Sequence, residues 1–335
     1  MIRYTVRRVL LLAPVLFGLS LLTFSIARLL PGDPVGLALG PQATPDQIVE
    51  FGRRFGYHLP LYMQYWDYVT GLLAGNWGQS VLTQRPVLSD LLVYLPATLE
   101  LVCTAMLVAV IFGVPAGLIT AVRRDGLLDN STRILAFGAM SVPRFFSGLM
   151  LQVWLGVGLG LFPLAGRFPL ITTPPDTVTG FLTVDALLAG DLDAFGVALR
   201  HLVLPTIALA LAPFATITRM MRAATIEEME RDYVMTERAL GISERRILFK
   251  YVLRNAFSSS LTVIGLYFGW LLGGTILVET VFDWPGIGLY ATQAILNQDF
   301  MPVVGVTLCV GVLFTAANLL VDIAYGLLNP KVRYA

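Results

Sequence analysis

The chain has 335 residues, of which 56% are hydrophobic and 13% charged, with a formal net charge of +1. Its mean hydropathy of +0.74 exceeds what a soluble chain of this length can bury, so composition alone points to an integral membrane protein. The near-neutral charge gives no support to a nucleic-acid partner. Cys103 and Cys309 lie in apolar runs and build neither a disulfide framework nor a metal site, and the isolated His58 and His201 are expected to be structural.

A helix needs roughly 20 apolar residues to cross ~30 Å of hydrocarbon. Six segments qualify: about 9–29, 98–122, 134–162, 201–221, 257–278 and 303–327. The first follows Arg3, Arg7 and Arg8. Its uncharged run from Val9 to Ala27 is too long for a signal-peptide core and leads to no cleavage site, so it is expected to remain as a span. The basic residues set the orientation. With the N-terminus inside, 16 of the 23 lie on the cytoplasmic side, in the N-terminus, around 123–133, in and beside the loop at 223–255, and in the tail at Lys331 and Arg333. Both termini are therefore expected in the cytoplasm.

The stretch 31–96 is expected outside. Thr44, Pro45 and Gln47 have the pattern of a capping box and Gly56 that of a helix end. A second helical stretch, 61–74, carries Tyr62, Tyr65, Trp66 and Tyr68, which suits either an interfacial helix anchored by aromatics or a docking surface for an external partner. Glu100, one turn into the second span, can snorkel, line a path or pair with another helix. Arg144 falls inside the third span, facing a water-filled cavity or binding a substrate carboxylate. A charge at mid-membrane costs roughly 2.5–3.5 kcal/mol or more, so each needs a reason. The outer loop 163–200, with Asp176, Asp185, Asp191 and Asp193, is expected to be solvated, with a partner contact as the alternative.

Between the fourth and fifth spans lies a charged segment, 223–255. Ile226, Met229, Tyr233 and Leu240 recur at helical spacing, with Glu237 interrupting the stripe. Gly241 is a natural helix-ending residue, and Ser243 can cap a second helix carrying Ile247, Leu248, Tyr251 and Val252. The predicted shape is helix, glycine break, helix. Acidic and basic residues nearly cancel there, which suits a protein partner around the apolar tip Ala239–Ile242 better than a lipid surface. After the fifth span, "ETVFDWPGIG" has the turn chemistry of a re-entrant segment near an outer gate, with Glu279, Asp283 and Trp284 as its candidates. Asn318 and Asp322, one turn apart on the sixth span, are read first as interhelical hydrogen-bonding groups and second as path residues.

The segment "RDYVMTERALGISERRILFKYVLRNA" resembles the cytoplasmic loop of binding-protein-dependent ABC importer permeases, above all the dipeptide/oligopeptide (DppB/OppB-like) family. The N-terminal "LLPGDPV", "LPATLEL", "LLGGTILVETVFDWPGIGLYATQAILNQDF" and "NLLVDIAYGLLNPKVRY" follow in the family's order, so the resemblance covers essentially the whole chain. It implies an all-α polytopic membrane protein: a first helix in 1–30, an extracytoplasmic helical loop in 31–96, and a permease core in 97–335. It also implies a coupling helix that fits an ATPase groove, with Asp232, Tyr233, Thr236, Glu237, Arg238, Ala239, Leu240, Gly241, Ile242 and Ser243 at the contact. The translocation-path or gate residues would be Glu100, Arg144, Glu279, Asp283, Trp284, Asn318 and Asp322. The chain departs from the family in three places. Glu237 stands where a small residue is usual, Arg144 where a small polar one is usual, and Ser258–Ser260 replace a Leu-Pro, which is expected to leave the fifth span straighter.

The implied partners are a second homologous permease, two ATPase subunits, an extracytoplasmic substrate-binding protein and membrane lipid, in a bacterial-type inner membrane. The implied cargo is di- or oligopeptides, with nickel, glutathione or an oligosaccharide as alternatives. Neither lysine follows a glycine, so no ATP-binding Walker loop exists; ATP and Mg would belong to the ATPase subunits, and the chain itself would hold no cofactor and catalyse no reaction. An ion-coupled secondary transporter is the competing class, but it should carry a mid-membrane relay of acidic or His residues, which the spans lack. A passive channel would have no use for the helix–glycine–helix.

Overall fold

The computed structural model describes residues 2–29, 44, 46, 49–50, 53, 58–169 and 171–328, with residues 2–9, 26–29, 259, 322 and 324–328 described by backbone alone. The expected capping box at Thr44–Gln47, the Gly56 helix end and the tail with Lys331 and Arg333 lie wholly or partly outside the described residues. Regular structure among the described residues is helical throughout: α1 (Ile2–Leu29), α2 (Leu61–Leu73), α3 (Val87–Val122), α4 (Leu127–Ser141), α5 (Arg144–Leu151), α6 (Leu182–Leu188) and α7 (Leu192–Met229). Then come α8 (Asp232–Ala239), α9 (Glu244–Arg246), α10 (Leu253–Gly274), α11 (Ile276–Val281), α12 (Ile287–Leu296) and α13 (Phe300–Leu328). Wider π-type turns extend α5 over Gln152–Gly158 and join α9 to α10 over Ile247–Val252.

Among the described residues three helices are long and apolar enough to cross a membrane: α3, α7 and α13 over Phe300–Val321; the count rises to five if each of two bent pairs is one span. The described apolar part of α1, Leu10–Ser25, is shorter. The helices overrun the expected spans. α3 starts at Val87, ahead of the expected 98, and α7 takes in residues assigned by sequence to the loops on both sides.

The expected third span is not one helix. α4 and the α5 segment meet at 104°. Pro143 cannot donate a backbone hydrogen bond and forces the preceding residue out of the helical region; Val142 is extended, at ψ 127°. The fifth span is not straight either: Glu244–Ser258 and Ser260–Gly274 differ in direction by 48°. Beside the break the Ser260 hydroxyl donates to the Ala256 carbonyl at 3.2 Å, a side-chain bond to the preceding turn that bends helices.

α3 and α7 form the centre. Leu101, Val102, Ala105 and Ala109 of α3 are buried in one cluster with Leu204, Ala208, Leu209 and Ile217 of α7. Lipid tails are as apolar as these side chains, so association rests on close packing and polar pairs. Gly113 and Gly117 supply the closeness. A Cβ on Gly117 would stand 2.5 Å from the Met221 Cβ and 2.6 Å from the Thr218 carbonyl oxygen. At one edge, α2 docks on α1: Tyr65 shares a 2.8 Å hydrogen bond with Ser20, Tyr68 one of 3.1 Å with Thr23, and Phe24 packs on both rings. Tyr62 and Trp66 face away and stay exposed, so the aromatic helix is anchored on one face and free on the other.

Two glycine substitutions should therefore move stability in opposite directions. Gly117→Ala overpacks the α3–α7 contact and should cost roughly 1–3 kcal/mol. Gly138→Ala on α4, where an added Cβ meets nothing within 4 Å, should gain roughly 0.5–1 kcal/mol from helix propensity. Thermal melts of the detergent-purified protein measure both; shifts of the same sign would contradict the packing described.

Candidate functional site

At the end of the bundle where α3 begins, four of its neighbours are tied to it through buried polar groups. Glu100 is 2% exposed. It neither snorkels nor lacks a partner: its carboxylate accepts from the Arg167 guanidinium, from the Thr183 backbone at 2.8 Å and from the Thr183 hydroxyl at 2.6 Å. Arg167 also donates to the Gly180 carbonyl at 2.6 Å and lies 5.8 Å from the Trp284 ring centroid. The loop between α5 and α6 is thus fastened to α3, and it continues inward. Gly166 donates to the Phe282 carbonyl and its own carbonyl sits 3.1 Å from His201 Nδ1, a structural role for that histidine.

The same end holds the α11–α12 turn. Trp284 is buried and its Nε1 donates to the Ala97 carbonyl at 2.9 Å. The first N–H groups of a helix have no partner within it. For α12 they are met by Thr98, which accepts from Ile287, and by Glu279, which accepts from Gly288 at 2.7 Å and Leu289 at 3.0 Å. Thr98 in turn donates to Glu279 at 2.8 Å. A fully buried carboxylate at the positive end of a helix, with three donors, needs no outside ligand. Gly286 and Gly288 make room, since a Cβ at either would overlap the Glu279 carboxylate. Asp283 is exposed and takes the left-handed φ of 46°, so that Trp284 N–H reaches back to the Glu279 carbonyl.

Sequence reasoning also expected solvated acids between α5 and α7, and one is not. Asp185 is 2% exposed and accepts from the Thr179 backbone and hydroxyl and from the Gly180 backbone. Burial alone would raise its pKa, yet these donors hold the carboxyl below the usual range. Asp191 caps α7 through the Ala194 N–H at 2.8 Å.

Arg144 stands apart from this network. It is the first residue of α5, at the bend of the third span, and is half-buried. Its guanidinium lies against Gly274 at the end of α10, and no acidic side chain pairs with it among the described residues. Asn318 is half-buried on α13, and the Asp322 side chain falls outside the described residues.

The opposite end carries the charged segment. The expected single amphipathic helix through Leu240 is broken at Glu230–Arg231, where α7 stops and α8 starts. Val234, not Leu240, is buried, in a small cluster with Ile247 and Val252, and Tyr233, Ile242 and Leu248 pack on it. Gly241 has φ +76°, its N–H donates to the Arg238 carbonyl and the Ile242 N–H to the Glu237 carbonyl, a helix end that only glycine adopts without strain. Arg238 and Glu244 bridge the turn at 2.6 Å, both exposed to water. Ser243 stands at the start of α9, although its hydroxyl makes no cap bond. Leu240 is 72% exposed at the apex, and Asp232, Thr236, Arg238, Ala239 and Ser243 are exposed around it, with Glu237 half-buried. Tyr233 donates to Glu228 at 2.8 Å, and Asn255 donates to both at 3.3 and 3.4 Å, so α7, α8 and α10 share one polar knot. Burial, with the Glu228 charge adding to it, pushes the Tyr233 phenol up.

Several of these groups had no sequence signal. Arg167, Thr98 and Asn255 find partners 67, 181 and 27 residues away. The same holds for Asp129, fully buried and held by Arg222 through two 2.6 Å bonds that join α4 to α7.

Residues 113–334 match the family described as "Binding-protein-dependent transport system inner membrane component", and residues 1–102 match its N-terminal counterpart. The chain is 43% identical to the di/tripeptide transport system permease protein DppB of Pseudomonas aeruginosa (strain UCBPP-PA14), over 100% of this chain and 99% of the relative. It is 36% identical to the dipeptide transport system permease protein DppB of Escherichia coli (strain K12), over 100% and 99%. It is 34% identical to the glutathione transport system permease protein GsiC of Escherichia coli O1:K1 / APEC, over the full length of both. The protein belongs to the family of inner membrane components of binding-protein-dependent transport systems.

Proposed function

We propose that this chain is a transmembrane permease subunit of an ATP-driven ABC importer, multi-pass in the inner membrane with both termini cytoplasmic and α1 as a sixth span. With a second permease it forms the translocation path for di- and oligopeptides, which an extracytoplasmic binding protein delivers. Two ATPase subunits bind ATP and Mg and work the permeases from the cytoplasm. Glutathione is the second reading of the cargo, favoured by the likeness to GsiC; it too is a short peptide with free carboxylates.

The observation that carries the reading is the Gly241 tip. An apolar, 72% exposed Leu240 stands at the apex of a turn that the chain's own bonds hold in shape. The tip is fastened to two long helices by Tyr233, Glu228 and Asn255. Such a part is built to be gripped and moved. A push on α8 reaches α7 and α10 through that knot, and the 48° bend in the fifth span gives α10 a place to yield. In this mechanism ATP binding draws the coupling helices together and opens the path outward, and hydrolysis resets it.

Within the path, Arg144 is the candidate for peptide contact. A peptide carries a carboxylate, and an arginine with no acidic partner among the described residues, at a break in a span, can offer it paired donors. Glu100, Glu279 and Trp284 are proposed as the frame of the outer gate, a reading supported by their burial and by their separate bonds to Arg167 and Thr183, to Thr98 and the start of α12, and to Ala97, with Asp283 on its surface; Asn318 and Asp322 remain candidates on the sixth span.

Gly241→Arg tests the coupling. A Cβ there meets nothing within 4 Å, so the new side chain projects outward and the permease should insert normally, while ATP-driven dipeptide uptake by the reconstituted transporter collapses. Gly241→Ala, with the same backbone strain of roughly 1 kcal/mol and no bulk, should retain much more. Unchanged uptake by the arginine variant would refute the assignment. For the path, Arg144→Gln should lower dipeptide uptake at subsaturating peptide roughly tenfold or more, the worth of a charge-assisted hydrogen bond. Arg144→Lys should recover part of it. Uptake kinetics identical to wild type would remove Arg144 from the path.

A further inference from the structure

A cavity of about 290 Å³ lies between α3, α4 and α7, close to the end of the bundle that carries the Gly241 tip. It is outside every site considered above. Its floor is the Arg222–Asp129 pair, and two more arginines, Arg133 of α4 and Arg219 of α7, line it. Asp129 is the one acidic residue lining it, and its two carboxylate oxygens are already bonded to Arg222. Arg133 and Arg219 are exposed and enter no ion pair or hydrogen bond among the described residues. The cavity therefore has an unbalanced positive charge.

A second observation points the same way. Thr218 also lines the cavity, is only 3% exposed, and its hydroxyl has no hydrogen-bond partner among the described residues. A buried hydroxyl left unmatched costs roughly 1–3 kcal/mol unless something in the cavity accepts from it. Two free guanidinium groups and a waiting O–H call for an oxyanion.

The surroundings narrow the choice. Phe137 and Met140 form the apolar wall of the cavity. Beside them on α4, Ile134 and Leu135 are 72% and 70% exposed, and Phe137 is 60% exposed. A small soluble anion has no use for such a flank, whereas an acyl chain does. Arg222 directly follows the apolar run 201–221 that is expected to span the membrane, which on the proposed topology puts the cavity at the level where lipid headgroups meet the hydrocarbon. Basic pockets between spans on the cytoplasmic side are a known mode of anionic headgroup binding.

The geometry points to a binding site for the phosphodiester of an anionic phospholipid, held by Arg133, Arg219 and Thr218, with an acyl chain along Ile134 and Phe137. The site rests on the proposed orientation only in assigning it to the cytoplasmic leaflet. Its occupant would bridge α4 to α7 next to the ion pair that already joins them.

Native mass spectrometry of the full transporter in detergent tests this, with phosphatidylglycerol or phosphatidylcholine of matched chains added. Wild type should retain phosphatidylglycerol in preference. Each surface-depth arginine contributes roughly fivefold to anionic-lipid affinity, so Arg133→Gln/Arg219→Gln should weaken retention roughly 30-fold. Arg133→Lys/Arg219→Lys should keep most of it, and Thr218→Val should lose part, which separates charge and hydroxyl effects from misfolding. Equal retention of the two lipids, or equal retention by wild type and the glutamine variant, would overturn the site. Displacement of phosphatidylglycerol by millimolar inorganic phosphate, with phosphate protecting the protein equally well, would overturn the lipid assignment in favour of a free anion. Transport need not be measured, so failure here leaves the permease reading untouched.

Discussion

The close approach of α3 and α7 is the constraint on which the rest depends. Two helices of 36 and 38 residues can approach backbone to backbone only because Gly113 and Gly117 present no side chain to Phe214, Ile217, Thr218 and Met221. In a membrane, no hydrophobic force draws two apolar helices together, so the contact must come from packing and from polar pairs. The glycines supply the packing. Polar pairs at the two ends then fasten neighbouring elements to this axis: Glu100 of α3 holds the loop before α6 through Arg167, and Arg222 of α7 holds Asp129 of α4.

With that axis fixed, the two ends do different work. The end at the start of α3 is closed on itself. Glu100, Glu279, Trp284, His201 and Asp185 are buried, and each finds its partner inside the protein. A buried polar group without a partner is costly, and breaking one member of a buried pair costs more, roughly 3–5 kcal/mol. Such an end moves as a unit or not at all. The Gly241 end is the reverse. Its fixed bonds lie within the turn and at its root, and its apex shows Leu240 to solvent. The division suits a machine that is driven from one side and gated at the other.

The sequence disclosed what is local and periodic. The long apolar runs predicted α3, α7 and α13, and the glycine-broken polar segment between two helices lies at Gly241 as expected. The bend at Pro143 was legible in "SVPRFF", since proline constrains the residue before it, but the continuous apolar composition of 134–162 outweighed that signal. The break at Glu230–Arg231 was hidden because Ile226, Met229, Tyr233 and Leu240 keep helical spacing across it. The buried network was not legible at all. Nothing near Glu100 marks Arg167 as its partner, 67 residues on, and nothing in "ETVFDWPGIG" says that Glu279 folds back on the helix that follows it and meets Thr98, 181 residues away; the first and the last depend on how distant elements pack. Leu240 shows the limit from the other side. Its spacing placed it on an apolar stripe, its neighbours Ala239 and Ile242 on a tip, and the tip is where it lies.

The central claim is that this tip is held by another protein. Its most direct measurement is the reactivity of a single cysteine at Leu240, in a background lacking Cys103 and Cys309, toward a water-soluble maleimide. The permease alone should label fast, because the position is open to solvent. In the assembled transporter with its ATPase subunits labelling should fall sharply, and an oxidative cross-link to a cysteine on an ATPase should form in its place. Labelling at the same rate in the complete transporter as in the permease alone would contradict the account.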